Sequence, residues 1–175
     1  MRTVLITVVL SLVCSAARAT VFVSADLSEL SRDSVAIVRG HVVAVDAEWK
    51  DGRKGIETIV SLETETYLKG SLGEVVQFRV PGGSLGRFRS LVVGAPQFTV
   101  GQRVIVFLGS RGPTVPYVLG LSQGVFRVVQ SQGDWMVTPA PIVATTDGPI
   151  VRGTQRPSPL GDFERQVRAL AGAGR

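Results

Sequence analysis

The sequence predicts a mainly β protein: a small closed or partly open antiparallel barrel, with a short N-terminal helical turn and a C-terminal α-helix. Three observations carry this prediction. Residues 34–138 hold a succession of Val- and Ile-rich runs separated by Gly-bearing turns. The longest run, Ser34 to Glu48, is partly apolar in both alternation sets and has Gly40 at its middle. A strand that bends there and changes its buried face is what closing a small sheet requires. The last segment instead shows helical spacing, with Leu160, Phe163, Val167 and Leu170 on one stripe. A chain of 175 residues, 45% hydrophobic and 19% charged, fits one domain with a real core and excludes a disordered charged tail.

The first segment reads as an export signal. Arg2 supplies a positive start, and the apolar run Val4 to Cys14 is 11 residues long. That is short of the ~20 a spanning helix needs. Ala17 and Ala19 are the small residues of a cleavage site, so cleavage is expected after Ala19. Residues 20–175 then form a single β-barrel domain, with the barrel core at about 34–138, a Pro-rich segment at 139–159 and the helix at 159–171. The lone cysteine, Cys14, leaves with the signal, so a periplasmic or secreted domain must be held by its core without disulfides.

Each element has its own signal. Asp26 to Arg32 suits a short helical turn, with Asp26 as N-cap and Leu27 and Leu30 on one side. Asp51-Gly52 marks a hairpin turn between the long strand and a partner, Ile56 to Leu68. In that partner Val60, Leu62, Thr64, Thr66 and Leu68 are expected on one face, and Ser61, Glu63, Glu65 and Tyr67 on the other. Glu74 to Val80 is a third strand with Val76, Phe78 and Val80 inward. Arg103 to Leu108 is apolar on both faces and is expected at the centre of the sheet. Tyr117 to Leu121, Val125 to Gln130 and Trp135 to Thr138 read as a meander, and Asp147-Gly148 as a marginal hairpin. Ser158 is expected to cap the final helix, with Pro159 at its first position and Glu164 paired to Arg168.

Ser34 to Val128 resembles the OB-fold barrel of netrin-like modules and tissue inhibitors of metalloproteinases, and the layout of exported bacterial proteins of unknown function. Val38-Arg39-Gly40, Leu68-Lys69-Gly70 and Val100-Gly101-Gln102-Arg103 followed by Val104 to Leu108 carry the resemblance. It implies an OB-like scaffold. Those inhibitors reach a protease zinc through an N-terminal Cys, and this chain, expected to begin at Thr20, has no such residue. The scaffold therefore implies no shared inhibition.

Chemistry is constrained by residue supply. His41 is the only histidine and sits mid-strand, where a packed or surface role is favoured over that of a general base. Lys50, Lys54 and Lys69 all lie in or beside turns, which does not favour a depressed-pKa lysine. Asp46, Glu48 and Asp51 lack calcium-loop spacing, and Glu63 and Glu65 are expected to solvate one face. No cofactor, metal or catalytic residue is expected. Residues 75–175 carry 11 Arg against 4 acids, and export argues against nucleic acid as the partner.

Residues 81–97 form a connection much longer than usual. They hold Gly82, Gly83, Arg87, Phe88 and Arg89, a Gly-rich turn beside an aromatic flanked by arginines. Loops on rigid barrels often bind, and this composition suits an interface. An edge strand packing Leu91 to Val93 on the barrel is the competing reading. The expected function is an exported, non-enzymatic binding module for a protein or peptide, with these five residues as the contact. The alternatives are an inhibitor or accessory factor of an exported protease, or a binder of anionic envelope polysaccharide. Oligomeric state is not readable from the sequence, and no stable membrane span is expected.

Overall fold

The computed structural model describes residues 25–112, 114–143, 150–151 and 156–173. The expected export signal, its cleavage point and the Asp147-Gly148 turn lie outside the described residues. The chain opens with helix α1 (Leu27–Asp33), capped by the Asp26 carboxylate, which accepts from the Ser28 amide at 3.5 Å and from its hydroxyl at 2.8 Å. At its other end Lys69 Nζ donates to the Ser31 and Arg32 carbonyls at 2.8 Å each, where a cation suits the helix dipole.

Five strands close a barrel. They are β1 (Ala36–Lys50), β2 (Gly55–Lys69), β3 (Val75–Pro81), β6 (Arg103–Gly109) and β7 (Tyr117–Val118). The order is β1-β2-β3-β7-β6, and β6 returns to pair with β1 from Ala36↔Leu108 to His41↔Arg103. Strands β4 (Gly83–Leu85) and β5 (Phe88–Ser90) form a separate hairpin. Beyond the barrel, β6 also pairs with β8 (Val125–Ser131), which carries β9 (Asp134–Pro139) and then β12 (Ser158–Pro159). Strands β10 (Ile142–Val143) and β11 (Ile150–Val151) pair as the marginal hairpin predicted. Helix α2 (Leu160–Gly172) ends the described chain.

The barrel is mixed rather than wholly antiparallel. Tyr117 and Val118 do not open a meander; β7 lies antiparallel on β6 and parallel to β3, at Arg79↔Tyr117, and so seals the barrel. A 3-10 turn, Leu121–Gly124, separates it from β8. Ser158-Pro159 is also a strand rather than cap and first turn. It pairs with Val137 and Met136, so α2 starts at Leu160 without a side-chain cap.

Two apolar layers result. Inside the barrel lie Val38, Val42, Val60, Leu62, Phe78 and Val106, among others. Outside it, Ile37, Leu68, Ile105, Phe107, Phe126 and Val128 face Leu30 of α1 and Phe163 and Val167 of α2. This is why β6 is apolar on both faces: Val104, Val106 and Leu108 point in, and Ile105 and Phe107 point under the helices.

The face change in β1 and β2 comes from bulges. The register slips between Ile37 and Val38, between Arg39 and Gly40, and between Val42 and Ala44. Residues Leu68, Glu65 and Val43 are the extra ones. They break the simple alternation expected for β2: Leu68 joins the outer layer, while Tyr67 packs against the inner one. Gly40 is required at this bend, because a Cβ there would lie 2.1 Å from the Glu63 carbonyl oxygen.

Candidate binding site

Residues 81–97 do not run as a plain loop. Gly82 (φ 89°) and Gly83 (φ 146°) turn the chain back, and the β4–β5 hairpin lies against the far ends of β1 and β2. A Cβ on Gly83 would meet Thr58 Oγ1 at 2.6 Å, and one on Gly82 would meet the Ser90 carbonyl at 2.8 Å. The turn is pinned from both sides. The Gly82 amide donates to the Ile56 carbonyl at 3.0 Å, and Thr58 Oγ1 donates to the Gly82 carbonyl at 2.8 Å. The two glycines thus seat the hairpin through close backbone approach.

At the hairpin end, Phe88 stands half exposed and edge-on to Trp49, with ring centroids 5.2 Å apart at 66°. Trp49 is the last residue but one of β1, just before the left-handed turn of Asp51, Gly52 and Arg53. Each ring carries an arginine. Arg87 lies 5.1 Å from the Phe88 centroid, and Arg53 lies 5.7 Å from that of Trp49. The result is an aromatic pair bracketed by two cations on a surface built from two hairpins.

Under this surface lies a cavity of about 340 Å³ between the hairpin, the loop that follows and the barrel end. Arg89, paired with Ser84 across the hairpin, contributes to its wall with Val45, Val80, Val92 and Phe98. Leu91 and Val93 remain about half exposed and form no strand, so the edge-strand alternative does not hold. Of the five predicted residues, Arg87 and Phe88 share the exposed aromatic face and Arg89 borders the cavity. Gly82 and Gly83 sit behind as backbone. Sequence reasoning missed Trp49 and Arg53; the available signal was a Trp at a strand end directly before an Asp-Gly turn.

A second polar cluster lies on the outer barrel wall. Glu65, the bulged residue of β2, accepts from Arg39 Nε at 2.9 Å and Arg103 Nε at 2.7 Å, and meets His41 Nδ1 at 2.7 Å. Arg39 also pairs with Glu164 of α2, which in turn pairs with Arg168 at 3.5 Å, as the i,i+4 spacing predicts. Arg103 stacks 4.4 Å over the ring of Trp135. Glu65 is therefore an ionic hub that ties β1, β2 and β6 together and, through Arg39, ties the wall to the helix. Burial alone would raise its carboxyl pKa. The hydrogen bond and charge of Arg103, with the charges of His41 and Arg39, outweigh burial and hold it below its ordinary value of 4.5.

The one histidine is thus engaged in this ionic cluster. Among the described residues, no group of three or more His, Cys, Asp or Glu is placed to hold a metal ion, and no helix is long and apolar enough to cross a membrane. What the barrel end offers is shape, aromatic surface and guanidinium groups. Compared with protein-family models and with curated proteins, the chain matches none of them.

Proposed function

We propose that this protein is an exported, non-enzymatic binding module that recognises a protein or peptide partner through the Trp49–Phe88 face. The observation that carries the reading is the pair of half-buried rings bracketed by Arg53 and Arg87 on a hairpin seated by two glycines. Aromatic and Arg side chains dominate the affinity of protein interfaces, because they bury large rigid area and desolvate at small entropic cost. Phe88 is 48% exposed, so much of its ring is left for a partner. Its neighbours hold it in place, which lowers the cost of ordering on binding. Export rests on the apolar segment and the Ala17/Ala19 pattern.

The test is an Arg87→Ala/Phe88→Ala/Arg89→Ala variant. All three side chains are exposed, so thermal unfolding is expected to stay close to that of the parent. Recovery of bound partner from the exported fraction of the native host should fall by about tenfold or more. Unchanged recovery with an intact fold would count against this face.

A further inference from the structure

The loop at 81–97 separates two hollows. Besides the cavity already described, its Pro81, Gly82 and Val92 also wall a larger open cleft, of about 510 Å³, on the β3–β7 side. We propose that this cleft takes the C-terminal residue of a peptide chain, its carboxylate held by Arg111 and Lys50 beside the Arg79–Glu57 pair and its apolar side chain laid on the floor of the cleft. The proposal deepens the peptide-binding reading and rests on it for the choice of a peptide.

The charge arrangement comes first. Three cations, Lys50, Arg79 and Arg111, line the cleft around a single carboxylate, Glu57. Glu57 is almost fully buried, and Arg79 Nη1 reaches its Oε1 at 3.2 Å. That pair is internally balanced. Lys50 and Arg111 have no ion-pair partner among the described residues, so the cleft carries a net excess of two positive charges. One carboxylate is the natural complement: Arg presents a planar fork of donors that matches it, and Lys adds a point charge. Arg111 is also oriented for this, because its guanidinium lies 5.3 Å from the Tyr117 ring centroid.

The rest of the wall decides what the carboxylate is attached to. Ile56, Val92, Val115, Val118 and Leu121 make much of the lining apolar. A polyanionic chain would leave that surface uncovered. An apolar residue ending in a free carboxylate uses both halves of the cleft. Because the cleft is open, the rest of such a chain can trail out past residues 81–97 toward the Trp49–Phe88 face.

The experiment measures binding of a fluorescein-labelled hexapeptide ending in a free leucine, its amidated counterpart, and octanoate as competitor. The exported protein is compared with Arg111→Gln and with the Arg87→Ala/Phe88→Ala/Arg89→Ala variant. The expected result is binding of the free acid, weakened roughly ten- to a hundredfold by amidation, with Arg111→Gln causing a similar loss and abolishing the difference between the two peptides. Equal binding of acid and amide, or no binding of either by folded protein, would overturn the proposal. Displacement by octanoate as efficient as by unlabelled peptide would overturn the peptide assignment in favour of a simple aliphatic acid. Failure of the aromatic-face reading is separable. It would appear as unchanged partner recovery in the triple variant, whereas failure here appears as insensitivity to amidation and to Arg111→Gln.

Discussion

Replacing Phe126 by alanine should destabilise the protein by about 3–5 kcal/mol, the largest effect expected of any single side-chain truncation considered in this molecule. Phe126 is 2% exposed and stands between two other rings, 5.6 Å from Phe107 on the barrel wall and 4.7 Å from Phe163 on α2. Its removal leaves a void at the junction of three elements that are each held by other contacts, so collapse around it is limited. A domain of this size has only about 5–15 kcal/mol in total, which places the variant near the threshold of folding at physiological temperature. Urea unfolding of parent and variant at 25 °C measures it, and limited proteolysis reads whether α2 loosens first. A loss under about 1 kcal/mol would mean that the helix layer contributes little to the fold.

The second large effect belongs to Glu65. Glu65→Gln should cost about 2 kcal/mol at neutral pH, below the range for a fully buried pair because Glu65, Arg39 and Arg103 keep 19%, 21% and 25% of their side-chain surface in water. Arg39 and Arg103 lose their shared counter-charge, and Arg39 is left with Glu164 alone. The pH dependence follows from the depressed carboxyl. Its folded pKa lies below 4.5, so its contribution is complete above that value and is lost as pH falls through the folded pKa. The parent should therefore lose stability more steeply than Glu65→Gln as pH falls below 4.5, and the two curves should converge at the acid end. Parallel curves would show that the cluster does not sense the Glu65 proton.

Much of this architecture was legible in the residues, and the misses share a cause. Runs with strong periodicity announced themselves: the inward Val76, Phe78 and Val80, the two-faced β6, and the stripe on α2 all stand where pattern placed them. Gly40 announced the bend, because a bare backbone in a Val-rich run has few other uses. Pairings set by tertiary closure left no local trace. Strand β7 is two residues long, and its parallel contact with β3 depends on where β6 delivers the chain. The β4–β5 strands are three residues each, below the length at which alternation can be read. The bulges that place Leu68 and Glu65 on the outer wall are one-residue events, and they convert Glu65 from an expected solvating side chain into an ionic hub.

The candidate site follows the same division. Arg87, Phe88 and Arg89 stood out by composition, since an aromatic between two arginines in a long connection has an obvious use at a surface. Trp49 and Arg53 did not, because their part depends on a hairpin, Gly83 to Ser90, that folds back much later in the chain. That fold-back is a property of Gly82 and Gly83, whose missing side chains let the two backbones meet. Lys50 ends β1, Arg79 lies in β3 and Arg111 follows β6, and they converge only when β7 seals the barrel.

Site-specific photo-crosslinking decides whether the Phe88 face meets a partner. A photoreactive phenylalanine analogue placed at Phe88 is compared with one at Arg165, an exposed position on α2. In the native host one discrete protein or peptide adduct is expected from position 88, absent from position 165 and lost when Arg87→Ala and Arg89→Ala are added to the same chain. Identical adducts from both positions, or none from position 88, would contradict it.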